Sequence, residues 1–295
     1  MKKKASKIGY NVAIYAFLII MGFIFIFPLL KMISMSMMTS EDLVNPLVSW
    51  IPFKFSLENY ERAVGVLGYW KALGTTAFVS ITPALLQTLA CSLVGYGLAR
   101  YNFKGSKVVF AMVLATFIIP SQITMIPQFL MYKDLGILYS INAYLLPAIF
   151  GQGFKSPIFI LIFYSFFKQV PPSLVEAAEV DGGNQFTVFF KIAVPIAKPG
   201  FLISFLLSTV WYWNETYLSS LYFADRIKTL PVLLQTFVET FNKQVSASEA
   251  TAGVSANEAA QMAGTFLVIV PLLILYAFTQ KYFVEGIDKS GITGE

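Results

Sequence analysis

The chain has 295 residues, 57% of them hydrophobic and 13% charged, and a formal net charge of +5. About a quarter of the residues of a soluble domain are charged, so a single soluble core is excluded and an all-α polytopic membrane protein is indicated. The positive balance does not point to nucleic acid, because the basic residues sit between apolar runs, where they set topology. Cys91 is the single cysteine and there is no histidine. An intramolecular disulfide is therefore excluded, and the commonest general base and metal ligand is missing. No catalytic constellation or metal cluster can be assembled, and the stretch from Gly151 to Ser156 lacks the spacing of a phosphate-binding loop.

Taken in order, the apolar runs predict six spans at about 10–33, 73–98, 108–131, 143–167, 201–223 and 262–283, each near the ~20 residues a helix needs to cross a bilayer. Lys2, Lys3 and Lys4 precede the first run, which continues without a small-residue cleavage site, so it reads as an uncleaved span. An even number of spans puts both termini on one side. That side holds Lys2, Lys3, Lys4, Lys7, Arg100, Lys104, Lys107, Lys168, Lys191, Lys198, Lys281 and Lys289. Glu41, Asp42, Glu58, Glu61, Asp134, Asp225, Glu239, Glu249 and Glu258 fall on the other. The lysine-rich side is expected to be cytoplasmic. The whole chain, 1–295, reads as one transmembrane domain.

Two segments lie outside. Residues 40–69, with Pro46, Trp50 and Pro52, read as an ordered loop seated at the interface. Residues 224–261 include 246–260, small, polar and alanine-rich, a short helix or a mobile loop. The third span carries Pro120, Ser121, Gln122, Thr124, Pro127 and Gln128, and the fourth carries Pro147, Gln152, Lys155 and Pro157. One at a time these are kinks and interhelical hydrogen bonds. As a set they predict a polar cavity.

Residues 173–200 contain no apolar run long enough to span. Ser173 and Glu176 have capping-box spacing, predicting a short helix from Leu174 to about Asp181. Gly182 and Gly183 supply a stop and a tight turn, and Asn184 can cap a second helix. Phe186, Phe189, Phe190 and Ala193 then share one face, and Pro195 is expected to end the helix at Val194. The unit is helix, glycine turn, helix: a cytoplasmic elbow.

Glu176-Ala177-Ala178, then Gly182, then Ile192 and Pro195, resembles the EAA loop of ABC-importer permeases, with Val194 standing where that pattern has Leu. Trp213-Asn214-Glu215 is similar to the Trp-Asn-Asp of carbohydrate-type permeases, and Tyr282 to Gly286 resembles their closing motif. The resemblance implies a permease of the maltose/oligosaccharide type with the type I fold of six transmembrane helices, in the bacterial cytoplasmic membrane. It further implies a homologous second permease, two ATPase subunits, an extracellular or periplasmic substrate-binding protein, membrane lipid and a carbohydrate cargo. ATP and magnesium would be bound by the ATPase subunits and no cofactor by this chain.

In that reading Glu176, Ala177, Ala178, Asp181, Gly182, Gly183, Phe186 and Phe189 form the ATPase-coupling site. Glu176 can serve a basic residue of the ATPase, cap its own helix, or do both. The phenylalanine stripe can pack on the chain's own helices or on the partner. Trp211, Trp213, Asn214 and Glu215, with Tyr217 and with Gln122 from the third span, are candidates for the substrate path, since aromatic faces and amides suit sugars. Asn214 lies about 20 Å along a helix from Phe201, so the same cluster also reads as an interfacial aromatic belt. A non-sugar cargo keeps the same machine. A secondary transporter or channel would instead use Glu215 or Lys155 as a relay.

Overall fold

The computed structural model describes the backbone of residues 2–244 and 258–289, and the side chains of 10–244 and 258–281. Among the described residues every regular element is helical. They divide into two compact units, Met1–Tyr69 with Leu234–Pro271, and Trp70–Leu233 with Leu272–Glu295.

The first unit opens with α1 (Lys2–Ser36), whose most apolar window has none of its residues buried inside the chain. It continues through α2 (Ser40–Val44) and α3 (Glu58–Leu67), so the outer segment expected as an ordered loop contains two helices. A capping box between Thr39 and Asp42 starts α2. Burial pushes the Asp42 carboxyl up. Hydrogen bonds from Thr39, through backbone and hydroxyl, and from the N–H groups of Phe53 and Lys54 outweigh that and hold it below the usual carboxylate range. Buried Asn59 donates to the carbonyls of Ser36 and Met38 at 3.0 and 2.8 Å, which fixes α3 against the end of α1.

The second unit is built on α4 (Tyr69–Arg100), followed by α5 (Ser106–Ile118), α6 (Ser121–Asp134), α7 (Asn142–Ile149) and α8 (Ser156–Lys168). Then come α9 (Pro172–Val180), α10 (Gln185–Ile196), α11 (Lys198–Asn214) and α12 (Tyr217–Phe223). The described helices end with α13 (Leu230–Gln235), with α14 (Phe237–Gln244), which belongs to the first unit, and with α15 (Glu258–Lys289), whose residues to Pro271 belong to the first unit and the rest to the second. Helices in lipid gain little from hiding apolar surface, since the tails are as apolar as leucine; close packing through small residues holds them instead. At Gly95 a Cβ would stand 2.6 Å from the Phe163 Cβ, and at Gly200 2.7 Å from the Phe166 ring. Both glycines let backbones approach an aromatic core of Phe159, Phe163, Phe166 and Phe167 that also takes in Cys91 and Tyr96.

Among the described residues three helices, Tyr10–Ser36, Tyr69–Arg100 and Glu258–Lys281, are long and apolar enough to cross a membrane, or up to six if bent pairs count as single spans. The bent pairs are α5 with α6, α8 with α9 at 71° and α10 with α11 at 74°, so the breaks within two of the expected spans, 143–167 and 201–223, are not among them. Residues 108–131 divide between α5 and α6, which meet at 102°, because Pro120 holds Ile119 in the extended region at ψ 122°. Residues 143–167 carry two helices separated at 150–155, where Gly151 (φ 67°) and Lys155 (φ 56°) turn the chain left-handed. Residues 201–223 are interrupted at Glu215, extended at ψ 105°. The 245–257 part of the alanine-rich stretch, and the side chains of Lys2 to Lys7 and of the Tyr282–Gly286 motif, lie outside the described residues.

Candidate functional site: an exposed elbow and a tyrosine-lined cavity

The elbow forms, with one change at its start. Pro172, not Leu174, opens α9; no side chain caps it, and the expected Ser173–Glu176 capping box is not made. Proline at the first helical position has no N–H to satisfy and arrives with its φ preset, so the box is displaced. The Glu176 carboxylate is exposed. The turn itself is a Schellman motif: the Gly183 N–H donates to the Ala178 carbonyl at 2.8 Å and the Gly182 N–H to Glu179 at 3.0 Å.

Each glycine is needed for its own reason. Gly182 sits at φ +81°, where a side chain is strained, while a Cβ on Gly183 would meet the Ala178 oxygen at 2.7 Å. Asn184 caps α10 as expected, accepting from the Thr187 N–H at 2.9 Å.

The helix then passes Val194 and runs to Ile196. Its residues Phe189–Ala193 form a π-helical turn, in which the Val194 N–H reaches back to the Phe189 carbonyl. The wider turn accommodates Pro195, which cannot donate, without ending the helix. This bulge also divides the phenylalanine face. Val188, Phe189 and Ala193 are buried in the core, with the Phe189 ring 4.9 Å from Tyr96. Phe186 and Phe190 point outward, at 75% and 62% exposure. Of the predicted coupling residues, Phe189 thus anchors the elbow to its own chain. Glu176, Ala177, Asp181, Gly182 and Phe186 are exposed, and Ala178 and Gly183 are half-buried. Exposed Leu174 and Val180 extend the apolar surface beside them. Arg100 at the end of α4 donates to the Val170 carbonyl at 3.4 Å, tying the elbow's entrance to a long helix.

The second feature is a cavity of about 970 Å³ within the second unit, lined from α5, α6, α7, α8, α11 and α12. Its walls include Gln122 and Gln128, Tyr132, Tyr144, Tyr212 and Tyr222, and Lys155. Side-chain bonds hold these groups in place. Tyr222 donates to the Gln128 Oε1 at 3.1 Å, and Gln128 donates to the Tyr132 hydroxyl at 2.6 Å. Tyr212 donates to the Gln87 Oε1 at 2.8 Å and accepts from the Phe154 N–H at 3.1 Å, while Gln87 donates to the Phe154 carbonyl at 2.8 Å. Tyr144 pairs with Ser219 at 2.9 Å. Gly153 makes this crossing feasible, since a Cβ there would lie 2.5 Å from both the Gln87 Oε1 and the Tyr212 hydroxyl. The arrangement offers hydroxyls, amides and aromatic faces, the groups that bind polyols.

The sequence-predicted substrate residues are not gathered here, Gln122 excepted. Trp213 is buried outside the cavity lining, with its indole N–H unpartnered. Asn214 donates back to the Val210 carbonyl at 3.0 Å, closing its own helix. The Glu215 carboxylate accepts the Leu218 N–H at 2.9 Å and so serves the start of α12, a structural use that explains an acid in this stretch without a relay. The Trp211 ring lies under the Lys155 ammonium, 4.5 Å from it, and Tyr217 is exposed. The tyrosines were missed. Alone in an apolar run, each reads as core; the only hint was the polar set around Gln122, Gln128, Gln152 and Lys155.

Fold and site together define a multi-pass membrane permease with an exposed helix–turn–helix elbow. Residues 91–289 match the family described as binding-protein-dependent transport system inner membrane component, and the chain belongs to that family. It is a family of transport components, not of catalysts. The chain is 31% identical to the arabinooligosaccharides transport system permease protein AraQ of Halalkalibacterium halodurans, over 100% of both chains. It is also 31% identical to the polygalacturonan/rhamnogalacturonan transport system permease protein YtcP of Bacillus subtilis, over 97% of this chain and 98% of that one. A solved bacterial ABC transporter involved in the import of the acidic polysaccharide alginate shares the fold. Its TM-score is 0.78 at 23% identity, covering 93% of this chain and 96% of the other.

Proposed function

We propose that the chain is the permease subunit of an ABC importer that brings a carbohydrate into the cytoplasm. A homologous permease completes the pore, two ATPase subunits bind and hydrolyse ATP with magnesium, and an external binding protein delivers the cargo. The lysine asymmetry favours the bacterial cytoplasmic membrane with the elbow and both termini inside. Saccharide cargo is supported by the names of the relatives, which cover neutral and acidic sugars alike, and by the hydroxyl-, amide- and aromatic-lined cavity.

The observation that carries the coupling half of the reading is the split phenylalanine face. One ring locks the elbow to the core, and its neighbours stay exposed beside the glycine turn. A rigid element with an anchored back and an apolar front can transmit the closure of a partner as a rigid-body movement. In a Cys91→Ser background, cysteines at Asp181 and Phe186 should crosslink to the ATPase subunits in the assembled importer, whereas one at Phe189 should not. Crosslinking from Phe189 alone, or from none of the three, would remove the elbow from this role.

A further inference from the structure

The cavity has one charged wall group. Its lining contains Lys155 and neither Asp nor Glu. Neither the Arg62–Glu58 nor the Lys228–Asp225 ion pair involves Lys155, and the lining brings no carboxylate to it. The ammonium is instead aimed by rings, 4.5 Å from the Trp211 centroid and 5.3 Å from Phe154, and the Trp211 ring is itself packed on Phe159 at 5.2 Å. Aromatic faces attract and orient a cation without cancelling its charge.

The backbone adds a second observation. Lys155 stands at φ +56°, a left-handed conformation that favours glycine, directly after Gly153-Phe154 and within a turn that uses glycine at Gly151 for the same purpose. A lysine stands where glycine would be unstrained. A topology signal does not account for it. Lys168, at the far end of α8, is the lysine beside the elbow, and Lys155 is thirteen residues away from it, about 20 Å along the helix. A cavity meant for neutral polyols needs hydroxyls and amides, and these the tyrosines and glutamines already supply.

We propose that the cavity binds carbohydrate bearing a carboxylate, with Lys155 as the group that meets the charge and Trp211 as the residue that positions it. The proposal rests on the carbohydrate reading above and narrows it to uronate-containing oligosaccharides. The tyrosine and glutamine groups would take the sugar hydroxyls, which is also what keeps a neutral analogue weakly competent.

The test is equilibrium binding of a galacturonate trisaccharide and of its fully methyl-esterified, uncharged counterpart to the purified, assembled importer. The expected result is at least about tenfold tighter binding of the acid, a preference that shrinks between low and high salt as exposed charge is screened. Lys155→Gln should abolish the preference, the ratio of acid to ester affinity, Lys155→Arg should retain most of it, and Trp211→Leu should reduce it. Equal binding of acid and ester by the unmodified importer would overturn the proposal while leaving the carbohydrate reading intact. So would loss of a co-purifying anionic lipid in Lys155→Gln with saccharide binding unaltered. If neither probe binds, the proposal falls. A panel of neutral oligosaccharides then separates the two claims: binding of any of them retains the carbohydrate reading, and binding of none removes both.

Discussion

The elbow and the cavity are held together in opposite ways. Every bond that shapes the turn between α9 and α10 joins residues no more than five positions apart, from Gly183 to Ala178 or from Thr187 to Asn184. All but one of the bonds that shape the cavity join residues 58 to 125 positions apart, as in Phe154 to Tyr212 and Tyr212 to Gln87, the exception being Gln128 to Tyr132 within α6. A locally specified element keeps its shape when it is pushed, which suits a part that passes on force. A cavity assembled from distant helices changes shape when those helices move, which suits a part that must bind and then release. Rigidity and responsiveness have been placed in different kinds of bond within one compact unit.

Substitutions can break that contrast at either end, and the largest effect is expected in the cavity. Gly153→Ala drives a methyl group into the Gln87–Tyr212 contact and should cost about 2–3 kcal/mol through overpacking and lost buried hydrogen bonds. Thermal unfolding of the purified complex should report it, and amide exchange should rise in α4, α8 and α11 together. In the elbow, Gly183→Ala meets a backbone oxygen that cannot move aside and should cost about 1–3 kcal/mol. Here exchange should rise only in residues 176–196, with the Phe154 amide unchanged; spreading into the cavity would contradict the local character of the turn.

Asn184→Ala removes one cap and should cost about 1 kcal/mol, seen as faster exchange at Thr187 and little else. Phe186→Ser alters an exposed ring and should shift stability by less than about 0.5 kcal/mol. Retention of the ATPase subunits should nevertheless weaken about tenfold, the scale of an aromatic anchor at an interface, as read by pull-down from solubilised membranes.

The same contrast explains what could be read from the residues alone. Gly182, Gly183 and Asn184 announce their conformations because the physics is local: a positive φ, a close carbonyl, a side chain reaching its third neighbour. Even so, Ser173 and Glu176 misled, since two prolines beside them offered a better helix start. Pro195 misled too, because a π-helical turn can absorb a proline that an α-helical register cannot. Trp213-Asn214-Glu215 marked a real feature, the break between α11 and α12, but the Asn214 amide and the Glu215 carboxylate serve the helix ends and not the cavity. Tyr132, Tyr144, Tyr212 and Tyr222 carried no local signal. What distinguishes Tyr144, Tyr212 and Tyr222 from core tyrosines is a hydrogen-bond partner on another helix, and only the folded chain supplies that.

The central claim is that the elbow carries the coupling, and Gly182 tests it most directly. At φ +81° with open space around it, Gly182→Val imposes backbone strain of about 1–3 kcal/mol and places bulk at the tip without touching the core. With the importer reconstituted in vesicles with its ATPase subunits and loaded binding protein, the measurement is ATP hydrolysis alongside cargo uptake. The account predicts that the variant inserts and folds, but that uptake falls at least about tenfold, and that the ATPase subunits are lost or their hydrolysis no longer responds to the loaded binding protein. Full retention of the ATPase subunits, with unaltered stimulated hydrolysis and uptake, would show that coupling runs through some other contact.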